Sequence, residues 1–392
     1  MMWKKLAAFL ALCLTLTLLT SWALAAGDGA VKSGTCGKNL TWILDGAGTL
    51  TISGTGAMDN FSQARRCSGV SYPSTIPWDS VQDSIQRVVI KDGVTSIGRC
   101  AFYGHKNLTN VAIPESVTTL QPYAFTKCGK LTNIEIPNHV TSIGTSCFID
   151  CTSLEEVTFP SSLTCLMGSA FSNCGSLTCV TIPAALTNIG KNPFGRCENL
   201  TAIYVDEANP AYMAVDGVLF TKDGTTLVQY PAGKECTHYT IPNGVTTIGQ
   251  GAFGSTYVAA SHCKLTSITI PEQVTNIEGW AFSRCDELTS VTIPGSVKKL
   301  GTAAFQGCKN LVSVRLQNGV TEIGSSAFNS CEKLSNIVVP VSLDNIAYYS
   351  FRNCSQLADI YYGGSEDQWR SIKKDASNGI PSSASIYYNQ NA

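Results

Sequence analysis

Apolar residues return along this chain on a fixed schedule. Phe102, Phe125, Phe148, Phe171 and Phe194 lie 23 residues apart, and Phe253 precedes a second series on the same step, Phe282, Phe305, Phe328 and Phe351. One unit reads Leu131, Ile134, Ile136, Pro137, Val140, Ile143, Gly144, Phe148 and Cys151. Ile134 and Ile136 alternate with polar residues, which predicts a short strand with one buried face. Pro137 ends it, because proline brings no N–H to a ladder. Val140 to Ile143 predicts a second extended stretch, and Gly144, Gly190, Gly249, Gly301 and Gly324 are expected to turn the chain. The Ala-Phe segment that follows predicts a short helical or 3-10 turn, too brief to stand alone. A period of roughly 20–50 residues means stacked units, each touching only its neighbours. The predicted fold class is therefore a repeat solenoid, mainly short parallel β-strands with one such turn per repeat.

Two interruptions break the step. Phe253 to Phe282 spans 29 residues, and the surplus is placed in a loop at about 254–261, around Tyr257 to Ser261. Phe194 to Phe253 spans 59. That surplus holds Val215 to Phe220 and Thr226 to Tyr230, alternating runs around Asp-Gly pairs that predict a hairpin. The hairpin is assigned to about 206–236, as a projection from the solenoid. The repeats occupy 85–362. Stacked coils need covered ends. Residues 26–84 carry two short strands, Leu40 to Leu44 and Thr49 to Ser53, with Trp42, Phe61 and Trp78 placed to cover the first coil. Residues 363–392 form the other cap, where Ser365 or Glu366 opens a short helix that sets Trp369 and Ile372 on the last coil.

The first 25 residues change the picture of where the protein resides. Lys4 and Lys5, the apolar run Leu6 to Leu19 and Ala23-Leu24-Ala25 have the order of a secretory signal cut after Ala25. The apolar run is too short for a membrane anchor, which takes about 20 residues. Removing Lys4 and Lys5 takes the net charge from −1 to −3. No basic stripe is present, so nucleic acid is not an expected partner. The expected location is secreted or at an extracellular surface, with any retention non-covalent and no membrane insertion after cleavage.

Seventeen cysteines, sixteen of them beyond the signal, raise the question of disulfides. Cys128, Cys151, Cys174 and Cys197 step by 23, as do Cys285, Cys308, Cys331 and Cys354. In-register neighbours on stacked strands lie about 4.7–4.9 Å apart, whereas a disulfide wants Cβ atoms about 3.5–4.5 Å apart. The eight are expected to be free, small apolar fillers. Cys36 and Cys67 lie in the cap, where pairing stays open. His105 and His262 fall in the same slot and are expected to be polar fillers; a zinc site needs four ligands, and no Cys-x-x-Cys pair exists. His139 and His238 read as surface loop residues. No hydrolase elbow, metalloprotease, phosphate-loop or EF-hand motif is found, and no cofactor is expected.

Function is sought on the outward positions of the first strand. Most carry Thr, Ser or Asn, which suit a solvated strand. Tyr204, Arg315 and Tyr361 depart from that, and tyrosine and arginine are enriched at binding hot spots. Glu135 and Glu156 complete the candidate ligand-binding face. The segment Ile277, Ala281-Phe282, Cys285, Leu288-Thr289, Val291 and Ile293-Pro294 resembles the BspA-like leucine-rich repeat family of bacterial surface and secreted proteins. So do the stretch from Gly34 to Met58 and the insert Val215 to Phe220. The resemblance implies a right-handed leucine-rich coil outside the cell, and characterised members act as adhesins toward host matrix proteins and other bacteria. The leading expectation is a non-catalytic module that binds an extracellular protein or surface glycoconjugate. The alternative is a structural surface component without a specific ligand. A hydrolase using a Cys–His pair is less favoured, because the cysteines recur with the core.

Overall fold

A computed structural model describes residues 32–67, 70–254 and 263–390. The leader at 1–25, His262 and the loop Tyr257 to Ser261 lie outside these residues. Within them each 23-residue step is one coil with three walls. The first wall is the alternating segment. Asn133–Glu135 exposes its two ends, buries Ile134 and pairs in parallel with Glu156–Thr158 of the next coil. The second wall is a two-residue strand such as Ser142–Ile143. It is one link in a parallel run that goes from Val94–Ile97 through Thr119–Leu120 and Cys165–Leu166 to Asn188–Ile189.

The third wall is the Ala-Phe segment, and its N–H groups divide between two uses. Ala101, Tyr103 and His105 donate to carbonyls three residues earlier, as in a 3-10 turn. Cys100, Phe102 and Gly104 instead donate forward to Pro122, Ala124 and Thr126 of the next coil, at 3.2, 2.8 and 2.8 Å. This alternation stops a helix from propagating and gives the wall its own inter-coil ladder. It also requires a left-handed residue at each end of the segment: Tyr123 and Lys127 at φ 61° and 63°, Ser146 and Asp150 at 54° and 63°. Left-handed backbone costs a side chain with a Cβ about 1–2 kcal/mol, and the hydrogen bonds to the neighbouring coil hold it in place.

The period-marking rings fill the space between the walls. Phe102 to Phe125 to Phe148 to Phe171 stack at 5.2, 5.2 and 4.9 Å, with planes within 14° of parallel. The second run stacks from Phe253 through Phe351 at 4.8 to 5.6 Å. Trp78 opens the first stack, 5.5 Å from Phe102, and its indole N–H donates to the Ala101 carbonyl at 3.0 Å. It thus stands in for the N–H that a preceding coil would supply.

One sequence expectation gains its reason and another is corrected. The glycines at 144, 190, 249, 301 and 324 stand at the corners between the second and third walls, as expected, with backbone outside the left-handed region. A Cβ on Gly144 would lie 2.4 Å from the Pro122 nitrogen, and one on Gly190 would lie 2.2 Å from the Gly168 nitrogen. Glycine is needed there because successive coils touch backbone to backbone. The insert at 206–236, in turn, is not a projection. Tyr212–Val215, Val218–Thr221 and Thr226–Gln229 form an antiparallel meander whose last strand pairs in parallel with Thr247–Ile248. Tyr230 then takes the ring slot, 4.9 Å from Phe253. Burial explains the difference: Val218, Leu219, Phe220 and Leu227 are at most 1% exposed, and projecting them into water would forfeit about 1.5–3 kcal/mol each. The strand Val218–Thr221 serves two cores at once. Leu219 packs with the first run of coils, while Val218 and Phe220 pack with the second.

At the C-terminal end, Ser365 caps the helix Glu366–Ser371 in a reciprocal pair with Gln368, and Trp369 packs edge-on against Tyr362 at 5.2 Å. The chain then continues both strand ladders, with Lys373–Lys374 on Asn345–Ile346 and Ser385–Tyr387 on Asp359–Tyr362. This segment is a final irregular coil as well as a lid.

Candidate binding face

Parallel register turns the outward positions into rows. Thr292, Arg315, Val338, Tyr361 and Tyr387 are successive partners on five neighbouring strands. Arg315 and Tyr361 are therefore two strands apart, about 9–10 Å at 4.7–4.9 Å per step. Tyr361 and Tyr387 stack at 5.1 Å with planes 18° apart, and Tyr387 is 43% exposed. The row in the second half thus ends in a half-buried and an exposed phenol, with the exposed Arg315 two strands away across Val338.

The other candidates lie in the first half. Glu135 is partnered by Thr158 and Glu156 by Asn133, so the two carboxylates sit diagonally on adjacent strands, both exposed. Tyr204 is partnered by Thr181 and is 54% exposed. Its strand ends at the insert, where Ile203 N–H donates to the Gly217 carbonyl. The structure thus brings Arg315 together with Tyr361, and Glu135 with Glu156, and it leaves Tyr204 apart from both. Tyr387 escaped the sequence reading because Tyr361 to Tyr387 is 26 residues rather than 23; the repeated Ile-Tyr-Tyr at 360 and 386 was the available signal.

The cysteine ladder is built for structure. Each Sγ reaches back to the phenylalanine carbonyl of the coil before: Cys128 to Phe102 at 3.2 Å, Cys151 to Phe125 at 3.1 Å, Cys174 to Phe148 at 3.3 Å and Cys354 to Phe328 at 3.0 Å. The thiols are free, and they donate hydrogen bonds as well as filling space, which the sequence reading had not included. Burial drives the Cys128, Cys174 and Cys331 thiols up from their ordinary range, and Cys197 and Cys354 up to about 12. Such thiols hold almost no thiolate, the form that attacks substrates. Cys36 is also free and buried; the side chain of Cys67 lies outside what is described.

His105 heads the ladder, fully buried and edge-on to Phe102 at 5.6 Å. Burial lowers its pKa to about 4, so the ring is neutral. No cluster of three or more metal-ligating side chains occurs among the described residues. His139 sits in an exposed loop as expected, but His238 lies in the strand His238–Thr240.

The architecture is that of a leucine-rich repeat solenoid. The pattern of the BspA type leucine rich repeat region matches residues 80–201 and 232–358, in six copies. The chain belongs to this family. It is similar to a leucine-rich repeat protein from Eubacterium ventriosum, at 26% identity and TM-score 0.68 over 85% of each chain. It is also similar to a leucine rich cell surface protein from Faecalibacterium prausnitzii, at 29% identity and TM-score 0.66 over 89% of this chain and 100% of the other. The pneumococcal vaccine antigen PcpA shares the fold, with TM-score 0.64 at 21% identity over 93% of this chain and 99% of its own. No curated protein matches the chain. Among the described residues no helix is long and apolar enough to cross a membrane.

Proposed function

We propose that this chain is an exported, non-catalytic binding module that engages an extracellular protein or surface glycoconjugate through the outward row of its second half. The observation that carries the reading is the stacked pair Tyr361–Tyr387 on the same row as Arg315. Two rigid aromatic rings offer contact area at little cost in side-chain entropy, and arginine adds a planar donor fork. The signal at residues 1–25 and the similarity to a cell surface protein support an extracellular setting. Burial holds the thiols of Cys128, Cys174, Cys197, Cys331 and Cys354 protonated and therefore poor nucleophiles, which weighs against the hydrolase reading.

The test is biolayer interferometry of residues 26–392 against immobilised fibronectin, laminin, type I collagen and a mucin. Saturable binding to one of them, reduced at least tenfold by Arg315→Ala with Tyr361→Ala, is the expected result. Binding to none of them, or binding that the double substitution leaves intact, goes against the reading and favours a structural surface component.

A further inference from the structure

The insert creates a second site that the outward row does not include. Beside the place where the regular coils are interrupted, a cleft of about 360 Å³ is lined by Lys191, Gln250, Asn276, Glu278, Trp280 and Lys299. Gln250, Asn276, Glu278, Trp280 and Lys299 come from three successive coils of the second run, and the insert brings Lys191 of the first run to them. At ~30 Å³ per water the cleft holds roughly twelve water molecules. That is room for one sugar ring with part of its hydration.

We propose that this cleft binds a neutral pyranose unit of a glycan, with Trp280 as the platform. The charge pattern comes first. Lys191 Nζ lies 3.4 Å from Glu278 Oε2, and Lys299 Nζ lies 2.8 Å from Glu322 Oε1. Each ammonium is matched by a carboxylate, so the cleft does not carry the unbalanced positive charge that a phosphate, sulfate or sialic acid ligand would need. The polar groups are held in place and still have capacity. Glu278 Oε2 accepts from the Gln250 backbone N–H at 3.0 Å as well as from Lys191. No described residue bonds Glu278 Oε1, the Asn276 side-chain amide or the Trp280 indole N–H, so acceptors and donors remain for hydroxyl groups.

Trp280 carries the second line of argument. It occupies the left-handed slot before Ala-Phe, at φ 56°. The preceding coil fills that slot with Gly251, and the last coil of the first run fills it with Asn192, both easier residues in this conformation. A bulky indole there is not chosen for the backbone. Aromatic residues recur in the slot at Tyr123 and Tyr349, but Arg99 covers the first at 5.5 Å and Arg352 the second at 4.4 Å. Among the described residues no ring or cation covers Trp280, which is half-buried at the cleft. An indole that no described ring or cation covers, beside an amide, a carboxylate and an ammonium, matches a pyranose, which presents one C–H face to a ring and a rim of hydroxyls to polar groups.

The experiment is saturation-transfer NMR and calorimetry on residues 26–392 with lactose, N-acetyllactosamine, mannobiose, cellobiose and 3′-sialyllactose, against Trp280→Ala, Trp280→Phe and Tyr361→Ala. The expected result is binding of at least one neutral disaccharide, with transfer to ring C–H protons. Trp280→Ala should weaken it at least tenfold, Trp280→Phe threefold or less, and Tyr361→Ala not at all. Circular dichroism confirms that each variant is folded. Three outcomes would each overturn the proposal: no neutral disaccharide bound, 3′-sialyllactose preferred over every neutral sugar, or Trp280→Ala without effect while folded. Because the residues are separate, this result and the result for the Arg315–Tyr361 row stand or fall independently.

Discussion

Two kinds of coil make up this molecule. From Phe102 to Phe194, and again from Tyr230 to Phe351, each coil repeats the hydrogen bonds and ring contacts of its neighbour. Between Phe194 and Tyr230 it does not. Among the described residues no ring stack bridges that gap. Ile189 N–H donates to the Tyr212 hydroxyl at 3.0 Å instead of to a strand carbonyl. Seven buried side-chain polar atoms lack a partner among the described residues, and four of them are here: both amide atoms of Asn192, Gln229 Oε1 and the Tyr230 hydroxyl. Inside a run, coupling to neighbours is repeated along three walls and one stack. At the seam it rests on fewer and irregular links: the two-faced strand Val218–Thr221, single hydrogen bonds such as Ile203 N–H to the Gly217 carbonyl and Gly233 N–H to the Leu200 carbonyl, and the Lys191–Glu278 pair. In a quasi-one-dimensional protein, stability is a sum of unit and nearest-neighbour terms, so the poorest interface sets where opening begins.

The largest effect expected is in the middle of a run. Phe148→Ala should cost about 3–5 kcal/mol in urea denaturation followed by circular dichroism. Phe194→Ala should cost less by ~0.5–1.5 kcal/mol, because its ring contacts are looser, 6.0 Å to Phe171 and a tilted 6.4 Å to Phe159 against 5.2 and 4.9 Å for Phe148. Equal losses would remove the distinction between run and seam.

Acid should act at the other end of the first run. His105 is neutral in the fold, with its pKa lowered to about 4 from 6.5 by burial. As pH falls below 6.5 the unfolded chain takes the proton first. The stabilisation is complete above that pH and is lost progressively down to about 4, by roughly 3 kcal/mol. His105→Cys, which places the ladder residue of the next coil there, should flatten this part of the pH profile. An unchanged profile would show that His105 is not the source.

A finer test separates donor from filler in the ladder. Cys174→Ala should cost about 1–2 kcal/mol through lost volume and a lost bond to the Phe148 carbonyl. Cys174→Ser, which keeps a donor, should cost less. If serine is the worse of the two, the thiol acts as a filler alone.

The smallest effect is expected at the seam and has the opposite sign. Tyr230→Phe removes a buried hydroxyl that has no partner among the described residues and installs the ring of the regular coils, so it should stabilise the protein by ~1 kcal/mol. A loss of stability would mean that the hydroxyl is satisfied in solution.

The runs were legible in the sequence because burial recurs with the period. Each of the period-marking rings Phe102, Phe125, Phe148, Phe171 and Phe194 is at most 1% exposed. The seam was less legible, although Tyr230 lies 23 residues before Phe253; a change of residue type hid a spacing that had not changed. The left-handed slots left no mark, because their conformation is imposed by the neighbouring coil and they carry Cys, Tyr, Ser, Asn, Trp and Ala as well as Gly. The rows of the outer face follow from register, so Arg315 and Tyr361 could be placed together in advance. The cleft at Trp280 could not, since Lys191 and Glu278 are 87 residues apart and meet only through the insert.

Native-state hydrogen exchange tests the contrast between run and seam most directly. The account predicts two separately protected blocks, the forward-donating amides of Phe102 to Phe171 and those of Phe253 to Phe328, with the lowest protection among buried amides between residues 189 and 230. A single block exchanging together along the whole chain, or lowest protection in the middle of either run, would contradict it.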